Sequence, residues 1–250
     1  LVDNPLGQLG RQLRWMLQTP QRYRHPELWD MYLEDQRTHL ALDALIDDGD
    51  CCVDVGAHIG SMLADMVRLS PSGTHVAFEP VPQKAKWLRK KFPTVIVVEA
   101  ATSAEPGSAT FYDDVDRPGF SGLSLPIEAT KTRSFPVELV TLDDELADLE
   151  RIDFIKIDVE GAELPTLKGA LDIIGDHRPK VLFECGPIDN LQSFGYKRAD
   201  LFNHFVGQGY DVYSIVDFVY GREPMTQESF EKAGTYPYRG FNFLALPADY

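Results

Sequence analysis

At 250 residues with 44% apolar side chains, the chain is long enough to bury one substantial core, as α/β domains of this size do. Its 24 Lys and Arg against 39 Asp and Glu give a formal charge of -15, which opposes phosphate backbones and anionic membranes, so nucleic acid is not an expected partner. Three cysteines without metal-type spacing read as reduced core residues, and neither a leader nor an apolar run of membrane length is visible, so a cytoplasmic protein without membrane insertion is expected.

Leu6, Leu9, Leu13, Met16 and Leu17 recur at helical spacing up to Thr19-Pro20 and predict an amphipathic helix. A second helix is predicted over Leu33 to Ile46, closed by Asp47-Asp48-Gly49-Asp50. Residues 1–50 therefore read as a helical extension, a lid or a homodimer contact, ahead of a domain over 51–250. Cys51 to Val55, Thr74 to Phe78 and Val95 to Val98 read as strands, with helices over Ser61 to Leu69 and Gln83 to Lys91 between them. Such βαβαβ alternation implies a parallel sheet covered on both faces, with ligands at the strand carboxyl ends.

An inserted flap at about 107–144 interrupts the pattern, with strands at Ser108 to Tyr112 and Phe135 to Val140. The stretch Asp113 to Arg133, including Ser121 and Ser124, is expected to close over the site as a lid. Alternation resumes with strand Ile152 to Ile157, helix Leu164 to Ile174, strand Lys180 to Phe183 and a helix near Ala199 to Val206. Strands at Tyr210 to Ile215 and Phe241 to Leu246 complete the pattern. The fold class is α/β: a doubly wound, mostly parallel, Rossmann-like sheet of seven strands.

The sharpest local signal is Val53-Asp54-Val55-Gly56-Ala57-His58-Ile59-Gly60, an acid at a strand end followed by glycines four apart where a helix begins. Glycine lets a ligand approach the backbone, and the helix start offers free N–H groups. A dinucleotide-binding turn needs a further glycine where His58 stands, which disfavours an NAD-dependent oxidoreductase. Asp54 suits a cofactor carrying ammonium and sulfonium charges. Glu79 follows the next strand, 25 residues after Asp54, where an acid can accept both ribose hydroxyls of an adenosine. A second concentration, Ile155-Lys156-Ile157-Asp158-Val159-Glu160-Gly161-Ala162-Glu163, sets three acids and a lysine at a strand end; helix capping explains one or two of the acids.

Asp54-Val-Gly-Ala-His-Ile-Gly60, Phe78-Glu79-Pro80, Thr141-Leu-Asp143, Ile152 to Glu163 and Phe183-Glu184 together resemble the FkbM family of methyltransferases, over about Cys51 to Pro187. The resemblance implies a class I methyltransferase fold, S-adenosylmethionine as donor, and a hydroxyl acceptor on a sugar, glycolipid or similar metabolite. By the same resemblance Asp54, Gly56, Ala57, His58 and Gly60 would line the methionine part, Glu79 the ribose and Ala100, Ala101 and Thr102 the adenine. Asp158 would stand near the sulfonium. The stretch Ala101 to Gly107 departs from the small-apolar-Gly-Asp turn of relatives.

Candidate bases are Asp158, Glu160, Glu184 and His58; Asp158, Glu160 and Glu184 could alternatively gather Mg²⁺. Of 27 aromatic residues, 14 lie from Phe194 onward, and Tyr220, Tyr236 and Tyr238, in irregular segments, are the candidate acceptor contacts. The expected partner is a small hydroxyl acceptor, a glycoside by preference. N-methylation, a polyketide or peptide acceptor, or an inactive interaction domain are the alternatives.

Overall fold

The structure is a computed structural model that describes residues 23–117, 121–125, 131–186 and 188–250. The helix expected over Leu6 to Leu17 and much of the flap lie outside those residues. The strands are β1 (Cys52–Val55), β2 (His75–Phe78), β3 (Ile96–Val98), β4 (Ala101–Thr102), β5 (Gly107–Asp114), β6 (Thr132–Val140), β7 (Phe154–Ile157), β8 (Lys180–Glu184), β9 (Tyr210–Ser214) and β10 (Asn242–Pro247). Seven of them form the main sheet, in the order β3-β2-β1-β7-β8-β10-β9, and β4-β6-β5 form a second, small sheet. Within the main sheet β10 alone runs antiparallel to its neighbours. This is the doubly wound sheet expected of the sequence.

Every residue of β1, β2 and β7 is buried, as strands covered on both faces must be. Val53, Val55, Ile155, Ile157, Val181 and Phe183 face one core layer. Cys52, Ala77, Phe154, Leu182 and Leu244 face the other. Strand order reverses between β1 and β7, so a crevice opens there at the carboxyl edge. The register pairs Asp54 with Lys156 and Val55 with Ile157, which brings the two chemistry-bearing segments out of adjacent strands side by side.

The helix Trp29–Leu45 begins four residues before its expected start, because Pro26 opens a 3-10 turn that leads into it. Ala41, Leu42 and Leu45 are buried against Leu63 and Met66 of the helix Ser61–Leu69. The single helix expected over Leu164 to Ile174 is instead two, Glu163–Lys168 and Leu171–His177. The break falls at Gly169, where an added Cβ would lie 2.1 Å from the Ser103 carbonyl oxygen. Close packing against the small sheet ends the first helix there. Short helices at Ile188–Ser193, Ile215–Val219 and Gln227–Ala233 carry too few turns to leave a periodic signal. All three cysteines are free and buried. No helix among the described residues is long and apolar enough to cross a membrane.

Candidate active site

A cavity of about 280 Å³ opens at the reversal point, walled by the Gly56 to His58 turn, Glu79, Ala100 to Thr102, the flap residues Ser121 to Leu123, and the strand end from Lys156 to Glu160. Its floor is set by backbone geometry. Gly56 takes φ +79°, and a Cβ there would fall 1.8 Å from the Asp158 carbonyl oxygen, so only glycine lets the two turns meet. Gly56 and Ala57 both donate to the Phe78 carbonyl at 3.0 Å, and Asp158 donates to the Val55 carbonyl at 3.0 Å. Three strands are thus tied together immediately beneath the cavity.

Lys156 lies at the centre of the charge arrangement. Its ammonium is 3.2 Å from Asp54 Oδ1 and 3.3 Å from Asp158 Oδ2, and donates to the Gly56 carbonyl at 3.1 Å. Burial works against the lysine's charge, but Asp158 and Asp54 outweigh it and hold its pKa above the ordinary value. Burial raises the pKa of Asp54 against the pull of Lys156. Asp54, expected to line the methionine part of a cofactor, is wholly buried and is not among the residues that wall the cavity; Lys156, which it pairs with, is. Gly60 is also set back: a Cβ on it would meet Phe92 at 2.5 Å and Leu88 at 2.8 Å, so this glycine serves helix packing.

Glu79 accepts from the His58 amide at 2.8 Å through one oxygen and from the Val81 amide at 2.9 Å through the other. Both oxygens keep a lone pair for a ligand while their positions are fixed. Burial pushes the Glu79 carboxyl up to about 7, with Lys84 on the next helix opposing. Lys84 lines the same cavity and was not among the residues singled out from sequence; its place in the first turn after Glu79-Pro80 was the available signal. His58 sits at φ +51° with a half-buried ring, and burial and Lys84 lower its pKa.

Asp158, Glu160 and Glu184 each place a carboxylate oxygen within 4.8 Å of the others. Burial, reinforced by Asp158 and Glu163, pushes Glu160 up to about 8. Burial, with Asp158, Glu160 and Glu163 facing it, holds Glu184 well above the usual carboxylate range. Beneath them Glu163 has a separate, structural role, accepting from the Gly161 amide at 3.0 Å and the Tyr196 hydroxyl at 2.9 Å. The flap approaches this cluster through a bridge between Tyr112 and Gly122, which lays Gly122 against Glu160. Asp113, held at 2.8 Å by Arg133, anchors Ser121.

The three tyrosines considered for acceptor contact do not line the cavity. Tyr220 is exposed, with the guanidiniums of Arg37 and Arg222 each 5.5 Å from its ring centre. Tyr236 donates to Glu27 and meets Tyr238 edge-on, and Tyr238 lies 5.4 Å from Phe241. Much of the C-terminal aromatic density is core: Phe183, Phe205, Phe230 and Phe243 pack with ring centres 4.6 to 6.1 Å apart.

Residues 54–212 match the family model described as the methyltransferase FkbM domain. A protein of Sordaria araneosa, methyltransferase sdnD, is 32% identical over 152 residues, covering 47% of this chain and 59% of its own length. Methyltransferase 1 of Beauveria bassiana (strain ARSEF 2860) is 30% identical over 149 residues, covering 50% of this chain and 60% of its own. The chain thus spans about three fifths of the length of these relatives. Among solved structures, a methyltransferase FkbM from Methylobacillus flagellatus KT aligns at 18% identity and TM-score 0.46, over 80% of this chain and 44% of that one. Aeropyrum pernix fibrillarin, solved with natively bound S-adenosyl-L-methionine, aligns at 12% identity and TM-score 0.46, over 83% of this chain and 73% of that one.

Proposed function

Because the chain belongs to the FkbM methyltransferase family, we propose that it transfers a methyl group from S-adenosylmethionine to a hydroxyl of a small sugar-bearing acceptor. The observation that carries the reading is the cavity itself. It has a buried acid with two fixed, partly unused oxygens at one side, small apolar residues at Ala100 and Ala101 beside it, and a carboxylate cluster at the other side. That donor set fits an adenosine: Glu79 would accept the ribose hydroxyls, Ala100 to Thr102 would flank the adenine, and the Gly56 to His58 backbone would face the amino-acid end. When bound, the cofactor supplies an electrophilic methyl on a sulfonium. The work of the chain is to align the acceptor oxygen with that methyl and to take its proton.

Glu160 is the best base among the candidates. Its carboxyl titrates near 8, where a proton acceptor at neutral pH is most effective, whereas Asp158 is tied to Lys156 at 3.3 Å. Glu160→Gln is expected to lower turnover by about 10²-fold or more while leaving S-adenosylhomocysteine binding unchanged. Mg²⁺ is the competing use of the same carboxylates. Against the metal, Lys156 stands 3.3 Å from Asp158 and already offsets its charge. Activity is therefore expected to survive a chelator. Loss in chelator with recovery on adding Mg²⁺ would favour the metal.

Calorimetric titration with S-adenosylhomocysteine tests the cofactor assignment. The parent is expected to bind saturably, and Glu79→Ala to bind roughly 100-fold more weakly, as loss of charge-assisted hydrogen bonds predicts. Since ribose hydroxyls donate to the ionised carboxylate, affinity should rise with pH through about 7, with a proton released on binding near that pH. The same buried carboxyl affects folding in the opposite sense: its raised pKa favours the protonated native state, a contribution that fades as pH climbs from about 4.5 through about 7. Titration in buffers of different ionisation heats detects the released proton. Absence of binding by the parent would overturn the assignment.

A further inference from the structure

We propose that Tyr196 and Glu163 are positioning residues for Glu160, locking the turn that aims its carboxylate into the cavity; this rests on the methyl-transfer reading above. Glu160 stands at φ +54°, a left-handed backbone that is costly for a residue with a side chain and persists only where its surroundings enforce it. Among the described residues two other non-glycines share that region, and one of them, His58, also walls the cavity. His58 is held there by its amide, which donates to Glu79 at 2.8 Å. An equivalent hold on Glu160 comes from beneath its turn.

The two peptide planes that flank the Glu160 Cα are both tied. The plane before it is held through the Val159 carbonyl, which accepts from the Ala162 amide at 3.4 Å. The plane after it is held through the Gly161 amide, which donates to Glu163 Oε1 at 3.0 Å. Gly161, at φ +102°, is fixed at its carbonyl as well: the Tyr196 hydroxyl lies 2.8 Å from that oxygen and 2.9 Å from Glu163 Oε2. Helix capping would use the Gly161 amide alone, and gives no reason for a tyrosine 35 residues away to reach the carbonyl. Glu163 and Tyr196 are 1% and 6% exposed, so water hardly competes for these bonds. From the opposite side the flap lies against the turn, since a Cβ added to Gly122 would stand 3.2 Å from Glu160 Cβ. Glu160 is thereby kept on the cavity wall, with a carboxylate oxygen of Asp158 and one of Glu184 within 4.8 Å of its own.

The test compares Tyr196→Phe, Glu163→Leu and Glu163→Gln with the parent. It reads the crystallographic backbone angle at Glu160, S-adenosylhomocysteine affinity, and transfer of labelled methyl from S-adenosylmethionine to methyl α-D-mannopyranoside. Tyr196→Phe removes one oxygen and leaves the ring in the core, whereas Glu163→Leu removes both of that residue's bonds. Each is expected to release Glu160 to negative φ and to lower kcat about tenfold or more, with KM and S-adenosylhomocysteine affinity within about threefold. Glu163→Gln keeps an oxygen for the Gly161 amide and an NH₂ for the tyrosine hydroxyl, so it should hold Glu160 at positive φ and retain about a third of kcat or more. Retention of φ near +54° in Tyr196→Phe overturns the proposal, and that readout needs no acceptor. So does a parental kcat once that angle is lost, or a Glu163→Gln protein as impaired as Glu163→Leu, since the carboxylate would then act by charge rather than as a clamp. Failure of the parent to bind S-adenosylhomocysteine is the distinct failure of the underlying reading.

Discussion

Lys156→Met is expected to lower the melting temperature by about 10 °C, because removing the one cation of a buried cluster leaves Asp54 without its partner. Breaking a buried pair from one side costs about 3–5 kcal/mol, and in a chain of this size each kcal/mol moves the midpoint by about 2–4 °C. Asp54 is wholly buried, and the lysine side chain is only 9% exposed, so solvent screens neither charge appreciably. The alternative for an unpaired Asp54 is to take up a proton, since burial already raises its pKa. The sign follows from that. With its folded pKa above the unfolded one, the lone acid penalises the native state increasingly as pH rises, so the deficit of Lys156→Met should be small near pH 4 and grow toward pH 8. Adding Asp54→Asn removes the charge that was stranded, and the double variant should recover most of the loss. Thermal unfolding of the parent, the two single variants and the double variant at both pH values measures this. Equal stability of parent and Lys156→Met at pH 8 would show that the cluster is not held by charge.

That cluster also marks how far the sequence could be read. Asp54 stood out as an acid at a strand end and was expected to face a ligand, yet the β1–β7 register turns it toward Lys156 inside the sheet. Alternation along one strand says which residues share a face, but only pairing with another strand says what they meet. A lysine within an apolar strand gives no sign of its partners. The strands themselves were legible because strands buried on both faces must be apolar throughout. The helix Ser61–Leu69 was legible in both bounds because its apolar stripe begins immediately after the Gly60 turn.

The small sheet was half legible. Its long hairpin, β5 with β6, is written in the residues, but β4 has only two, Ala101 and Thr102, too few for any periodicity. The choice of acceptor contacts was the least legible part, for a physical reason. Tyr220, Tyr236 and Tyr238 were chosen for aromatic character in irregular segments, yet none lines the cavity, while the backbone of Phe241 and Asn242 is held by Glu34, more than 200 residues away from them in the chain. A contact that joins the helix Trp29–Leu45 to β10 leaves no local pattern at either end. What the motifs did convey was the convergence of Glu79, Ala100, Ala101, Asp158 and Glu160 on one cavity, because each follows a parallel strand and parallel strands end on one edge.

Gly56→Ala should be the most damaging single-methyl change in the chain, and a comparison with Gly49→Ala separates the two reasons why. Both glycines have positive φ, +79° and +93°, so alanine at either site carries the left-handed backbone cost of about 1–2 kcal/mol. At Gly49 nothing lies within 4 Å of the added Cβ, and that cost is the whole effect. At Gly56 the Cβ would overlap the Asp158 carbonyl oxygen at 1.8 Å, and that oxygen belongs to backbone that cannot rotate away. The strand ends of β1 and β7 must then separate, at a further cost of about 1–3 kcal/mol or more. The separation falls where the Gly56 to His58 turn and Asp158 wall the cavity. Gly49→Ala is expected to melt a few degrees below the parent and to bind S-adenosylhomocysteine unchanged. Gly56→Ala is expected to melt about 10 °C lower and to lose at least tenfold in affinity. If the two variants proved equal in both measurements, the glycine at 56 would be there for its backbone angle alone, and the close meeting of the two turns would have no part in shaping the site.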